Sequence, residues 1–154
     1  MIWKQLPKVE VLNEMGVNTL AELIGIEFTE IGPDFLKATM PVEARTHQPM
    51  GILHGGASAT LAETLGSVGS FLCISDHANY SAVGLNITTD HLRQARTGLL
   101  TGVAKPIKIG HKIHLWSIDI FNEKQQLVSA SRLSVMIIKT VGKGEEEFIC
   151  IDLK

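Results

Sequence analysis

Between Thr46 and Ser75 one residue carries a formal charge, Glu63. It lies in the run Ala57-Ser58-Ala59-Thr60-Leu61-Ala62-Glu63-Thr64-Leu65-Gly66-Ser67-Val68-Gly69-Ser70-Phe71-Leu72. Leu61, Leu65, Val68 and Leu72 recur there at helical spacing, and Ala, Gly, Ser and Thr fill most other positions. A helix that is small or apolar on every side is a buried helix, so Glu63 is expected inside the protein. The run is too polar and too broken by Gly and Ser to span a membrane. A buried carboxylate is costly unless it is paired or has a chemical task, because desolvation disfavours its charged form. Both readings stay open here: a structural ion pair with Arg45 or Arg93, or a catalytic carboxylate. Two glycines, Gly55 and Gly56, open the same helix after His54. They leave backbone N–H groups uncovered by side chains, where anions and developing negative charge are stabilised. A carboxylate and an oxyanion site on one element suggest acyl chemistry.

The rest of the chain must position this helix. Val9 to Met15 reads as a short helix, and Thr19-Leu20-Ala21-Glu22 has capping-box spacing with Gly25 suited to end a second one. Ile26 to Ile31 and Phe35 to Met40 alternate apolar and polar residues around Gly32-Pro33-Asp34, a hairpin pattern that Pro41 ends or marks as an edge. Beyond the turn Asp76-His77-Ala78-Asn79 come four β-rich runs: Tyr80 to His91, Gly98 to Lys105, Lys112 to Asn122 and Leu127 to Lys139. Their connections, around Gln94 to Thr97, Pro106 to Gly110 and Glu123 to Gln126, suit antiparallel neighbours. The expected class is α+β: a curled antiparallel sheet wrapped around one long buried helix, whose uncovered flank meets another subunit. Trp116 and Phe121 fall on opposite faces of one strand, so at most one looks toward the helix.

With 154 residues, 45% of them hydrophobic and 19% charged, one domain is expected. It is drawn at residues 1–140, with 141–154 as a tail of unassigned role. A net charge of −2 gives no electrostatic case for nucleic acid. The N-terminus lacks a basic region, apolar core and cleavage site, so a cytoplasmic protein that avoids the membrane is expected. Cys73 and Cys150 make neither a disulfide framework nor a metal motif, and Cys73 reads as core filler. His111 and His114, three apart in a β-rich run, point to opposite faces, and His47, His54 and Glu63 lack ligand spacing, so no metal is expected. No cofactor is expected either. Gly-x-Ser-x-Gly is absent, which removes an α/β-hydrolase elbow.

Taken together, Met1-Ile2-Trp3-Lys4, Arg45-Thr46-His47-Gln48-Pro49, Leu53-His54-Gly55-Gly56 and Leu61-Ala62-Glu63-Thr64-Leu65-Gly66-Ser67 give a distinctive pattern. With it, the chain resembles the hotdog-fold acyl-CoA thioesterases over Met1 to about Lys139. The likeness is strongest to the branch containing phenylacetate-degradation thioesterases and the 1,4-dihydroxy-2-naphthoyl-CoA thioesterase of menaquinone biosynthesis. The resemblance implies Glu63 as nucleophile or general base and Gly55 as oxyanion donor. It implies supporting roles for Gln48 and His54, with Ser67 beside the carboxylate; positions 63 and 67 are i and i+4, which share a helix face. Segments around His91, Arg93 and His111 tend in this family to approach the CoA nucleotide. Lys105 and Lys108 are candidate phosphate contacts, against a solvated sheet edge as the plain alternative. The chain departs from its relatives in Thr88 where Asn is frequent, Gln94 where Pro is frequent, and His111 where Arg is frequent.

Geometry adds one expectation to the family's homodimer and its pairing into a homotetramer. Gly55 and Glu63 are separated by about 12 Å along a helix axis, at 1.5 Å per residue. One thioester carbon cannot easily touch both on the same helix. A two-fold axis that sets two such helices antiparallel joins Gly55 of one to Glu63 of the other, making active sites shared between subunits. Two rivals remain: a 3-hydroxyacyl-thioester hydratase or dehydratase of the same fold, using His54 with a carboxylate as acid and base, and a non-catalytic acyl-CoA binding protein.

Overall fold

A computed structural model describes residues 1–140. Two short helices, α1 (Val9–Met15) and α2 (Leu20–Leu23), precede the hairpin β1 (Glu27–Ile31) and β2 (Leu36–Pro41). A 3₁₀ turn at Ala44–Thr46 leads into a two-stranded ribbon, β3 (His47–Gln48) and β4 (Ile52–Leu53), and then the long helix α3 (Gly55–Leu72). The chain ends in β5 (Tyr80–His91), β6 (Leu99–Ile109), β7 (Ile113–Phe121) and β8 (Leu127–Lys139). Six strands form one antiparallel sheet in the order β1-β2-β6-β7-β8-β5. Helix α3 packs against β2 and against all of β5 to β8.

Small residues let the helix lie close to the sheet. A side chain at Gly66 would overlap Leu133, one at Gly69 would press on the Trp116 ring, and one at Gly102 would meet Leu65. Trp116 is fully buried, its Nε1 donates to Ser70 Oγ at 2.7 Å, and Trp3 stacks on it with centroids 6.1 Å apart. Burial of such side chains stabilises the fold by roughly 1.5–3 kcal/mol each. Phe121, of opposite parity, is only half-buried, so Trp116 is the one that faces the helix. The N-terminal segment closes the far end of α3: Trp3 Nε1 donates to Gly32 O at 2.6 Å, and the Lys4 and Gln5 amides donate to Leu72 O at 2.8 and 3.2 Å. Sequence gave Trp3 no core role; one indole lacks the periodicity that marks a core strand or helix.

Most strand boundaries agree with expectation, and β5 and β8 agree end to end. One does not. The connection expected around Pro106 to Gly110 is mostly strand: β6 runs on to Ile109, with Pro106 paired to Trp116 and a register shift that skips Ile107 directly after it. The capping box before α2 is also incomplete. Thr19 Oγ1 accepts from the Ala21 amide, whereas Glu22 Oε2 accepts from the Asn18 amide rather than that of Thr19. The tail expected at 141–154 lies outside the described residues.

Cover on α3 is one-sided. Ser58, Leu61, Ala62, Leu65, Gly66, Gly69, Ser70 and Leu72 are buried, while Glu63, Thr64, Ser67, Val68 and Phe71 are half-buried in the single chain. The edge strand β5 beside that flank has no buried residue, whereas β7 buries every second one. Among the described residues, no helix is long and apolar enough to cross a membrane.

Candidate active site

The first turn of α3 is built by the β3–β4 ribbon. Gly51, at φ +68°, turns the ribbon in a conformation that most residues avoid. The ribbon is tied down by Leu53 N–H to Ala95 O and His54 N–H to Thr46 O, both 2.8 Å. His54 is the N-cap: its Nδ1 accepts from the Gly56 amide at 2.8 Å. His54 O accepts from Ala57 N–H at 2.9 Å and Ser58 N–H at 3.4 Å. The Gly55 N–H is left without an acceptor among the described residues.

Gly55 lines a cavity of about 320 Å³ with Gln48, Ile52, Leu53, Ser58, His91, Leu92, Arg93, Gln94, Ala95 and Val128. The His91 ring lies so close over Gly55 that an added Cβ would sit 2.6 Å from Nε2 and would have to push the ring aside. Gln48 Oε1 accepts from the Met50 amide, which holds the side chain at the cavity wall. The structure therefore brings Gln48, Gly55, His91 and Arg93 together. His54 acts on the same turn from its exposed cap position.

Glu63 is elsewhere. Its carboxylate rests on the backbone of β5 at Gly84, where any side chain would overlap Oε1, beside a register shift between Gly84 and Asn86. Ser67 Oγ donates to Glu63 Oε1 at 3.2 Å. The expectation that Glu63 is buried needs correction: in the single chain it is half-buried, on the uncovered flank. Desolvation still raises its pKa above the usual carboxylate value, and the Ser67 hydrogen bond partly opposes the rise. The ion-pair alternative finds no support. Arg45 donates to Glu43 Oε1 at 2.5 Å and to Leu23 O at 2.8 Å, and Arg93 lines the cavity at Gly55. Among the described residues the salt bridges are Lys37–Glu30 and Arg45–Glu43.

The residues proposed for CoA separate. His91 and Arg93 line the Gly55 cavity, while His111 lines a second cavity of about 1150 Å³ at the other end of α3, with Cys73, Ile74 and Lys112. Lys105 and Lys108 are exposed on β6 and line neither. Cys73 is buried and its thiol is pushed up to about 11, in keeping with a packing role. Among the described residues no group of three or more His, Cys, Asp or Glu side chains is placed to hold a metal. Gly84 and Ser58 were missed from sequence. Nothing local distinguishes Gly84 from other strand glycines, although glycine inside a strand does signal close approach.

Residues 50–129 match the Thioesterase superfamily. The chain is 46% identical to the 1,4-dihydroxy-2-naphthoyl-CoA hydrolase of Escherichia coli (strain K12), over 90% of this chain and 100% of that protein. It is also 46% identical to the proofreading thioesterase EntH of Cronobacter turicensis, over 90% of this chain and 99% of that one. Among solved structures, a mutant of the Pseudomonas aeruginosa thioesterase PA1618 superposes with a TM-score of 0.89 at 40% identity, covering 91% of this chain and 100% of that one. The Haemophilus influenzae thioesterase HI1161 gives 0.89 at 41% identity, covering 94% and 100%. Sheet, central helix and these similarities agree that the chain belongs to the thioesterase superfamily and has its hotdog fold.

Proposed function

We propose that the protein hydrolyses an aryl- or acyl-CoA thioester to the free acid and CoA. The observation that carries this is Glu63, a carboxylate without a cation partner among the described residues, on the same helix as a Gly55 N–H that has no acceptor among them. The Gly55 amide holds the thioester carbonyl and its developing oxyanion, with Gln48 and His54 fixing the turn that presents it. Glu63 either attacks the carbonyl carbon, expelling CoA thiolate and leaving an anhydride that water opens, or takes a proton from the attacking water. Ser67 orients the carboxylate. Its raised pKa makes Glu63 a stronger base than a solvated carboxylate, which suits either route.

In this reading the catalytic unit is a homodimer with two shared sites, itself paired in a dimer of dimers. The half-covered flank of α3 and the exposed Val83 and Leu85 on edge strand β5 support such a partner. His91 and Arg93, with His111, remain the candidates for CoA phosphate contacts, Lys105 and Lys108 being the weaker pair because they line neither cavity. The catalytic domain is residues 1–140, and the setting is the cytoplasm. The relatives' names favour an aryl group of the 1,4-dihydroxy-2-naphthoyl kind among the acyl classes.

Thiol release from benzoyl-CoA and a medium-chain acyl-CoA tests the proposal. A thioesterase liberates CoA from at least one. A hydratase changes 3-hydroxyacyl-CoA without free thiol, and a binding protein does neither. His54 speaks against the hydratase, because its Nδ1 already serves the helix cap.

A further inference from the structure

The second cavity, at the far end of α3, has a volume of about 1150 Å³, the size of a ligand-binding cleft. Its walls join two kinds of residue. Ile2, Ile74, Ile109, Ile113 and Ile137 make it apolar, and Lys4, Lys112 and Lys139 make it positive, against one carboxylate, Asp76. Ile109 and Ile113 are exposed, at the ends of the neighbouring strands β6 and β7. Apolar residues exposed together and rimmed by charge mark an interaction site. Among the described residues, none of the three lysines forms a salt bridge.

The chain leaves the fold at this cavity. Lys139, the last residue of β8, lines it, and Thr140 is tied down next to it: its amide donates to Asn79 O at 2.9 Å and its Oγ1 to Ala78 O at 3.0 Å. Lys112 is held on the same side, where its carbonyl accepts from the Ile137 amide at 2.9 Å. Beyond Thr140 the sequence reads Val141-Gly142-Lys143-Gly144, then Glu145-Glu146-Glu147 and Phe148-Ile149-Cys150-Ile151-Asp152-Leu153. Three carboxylates followed by an apolar run complement a cavity with a positive rim and an apolar wall. Five residues span up to about 17 Å from Thr140 to Glu145, so the segment reaches the cavity it starts from. The resemblance to the thioesterases ends near Lys139, so this segment is not part of the family pattern.

We propose that the second cavity is the docking site of this chain's own residues 145–153. The carboxylates of Glu145 to Glu147 pair with Lys112 and Lys139 at the rim, and Phe148, Ile149 and Ile151 cover Ile109, Ile113 and the wall behind them. Exposed ion pairs contribute little each, so the apolar run supplies most of the affinity and the charges set its direction. The tether makes the contact intramolecular, with an effective concentration in the millimolar range for a short linker, so a weak contact suffices.

Alkylation of Cys150 in the full-length protein tests this, with a synthetic peptide of residues 141–154 as the reference. Cys73 is buried and its thiol is pushed up to about 11, so Cys150 is the thiol that iodoacetamide reaches first, and mass spectrometry of the two cysteine peptides reads each rate. Docking should make Cys150 react at least about tenfold more slowly than in the peptide, the ratio left when the docked form holds about nine-tenths of the molecules. Lys112→Glu with Lys139→Glu should bring the rate to within about threefold of the peptide's, and Glu145→Lys with Glu146→Lys in that background should restore slow reaction. Glu145→Lys, Glu146→Lys and Glu147→Lys together leave residues 1–140 unchanged and should speed the reaction in the same way. Peptide-like reaction in wild type overturns the proposal. So does slow reaction that survives both charge reversals, the result expected if the segment lies on another surface or on a partner copy.

Discussion

Helix α3 carries the two regions that the proposed chemistry uses, and they differ in nearly every respect. At its N-terminus, Gly55 faces a cavity with its amide unused, beneath the His91 ring and beside Gln48. Two turns on, Glu63 is pressed against the β5 backbone at Gly84 and held by Ser67. The first region can stabilise negative charge on a substrate, and the second can supply an electron pair. Neither contains the other's component. Glu63 does not line the Gly55 cavity, and each region lies where the single chain leaves the helix half-covered. Two half-sites of opposite function on one rigid helix are what a two-fold symmetric pair can complete.

The contrast breaks most severely at Glu63. Glu63→Ala should lose about 10²–10⁴-fold in kcat, as expected for a positioned base or nucleophile. Folding should survive, because among the described residues the carboxylate has no cation to strand. Thermal melting beside the rate separates this from a structural role, since breaking a buried ion pair would cost about 3–5 kcal/mol. Gly84→Ala comes next. Its methyl group must displace the Glu63 carboxylate, and a misplacement of that order can cost up to about 10²-fold in kcat. Near-wild-type rates in Gly84→Ala would mean that the strand backbone does not position Glu63.

pH sharpens the comparison further. With Glu63 raised by burial, kcat/KM should climb along an acidic limb as the carboxylate ionises, and that limb should lie above the ordinary carboxylate range. Stability runs the other way. A carboxyl whose folded pKa exceeds its unfolded one favours the fold while protonated, and that contribution is lost as pH rises through the folded value. Glu63→Gln should therefore melt no lower than wild type at pH 7. A variant that melts clearly lower would show ionised Glu63 to be stabilising. Smallest is Ser67→Ala: removing a bond that lowers the Glu63 pKa should move the acidic limb to higher pH, read from the rate profile.

The regions also differ in how far sequence revealed them. Glu63 was visible because charge is otherwise absent from Thr46 to Ser75, and helical periodicity put Ser67 on its face. The run of strands along the chain followed from alternation and short turns, but the connection around Gln94 to Thr97 does not join neighbours as expected: β5 pairs with β8, and β6 lies between β2 and β7. Gly84 and Ser58 stayed hidden because their meaning lies in what approaches them from distant elements, which local pattern does not encode. The spread of His91, Arg93, Lys105, Lys108 and His111 over separate places was hidden for a similar reason. A register shift between Pro106 and Lys108 carried β6 past its expected end at Lys105, and Lys108 with it. Periodicity also overstated the burial of α3. A helix that is apolar all round needs cover on all sides, but sequence cannot divide that cover between one chain and its partner.

Mixing two inactive variants tests the shared site most directly. Glu63→Ala damages one region and Gln48→Ala the other, and the two are unfolded and refolded together in equal amounts. If the sites are shared, half the dimers are mixed, each with one intact and one doubly damaged site, so activity should return to about a quarter of wild type. Activity no greater than the sum of the two variants, with subunit exchange verified by mass spectrometry, would place Gly55 and Glu63 in one site within a single chain and contradict the account.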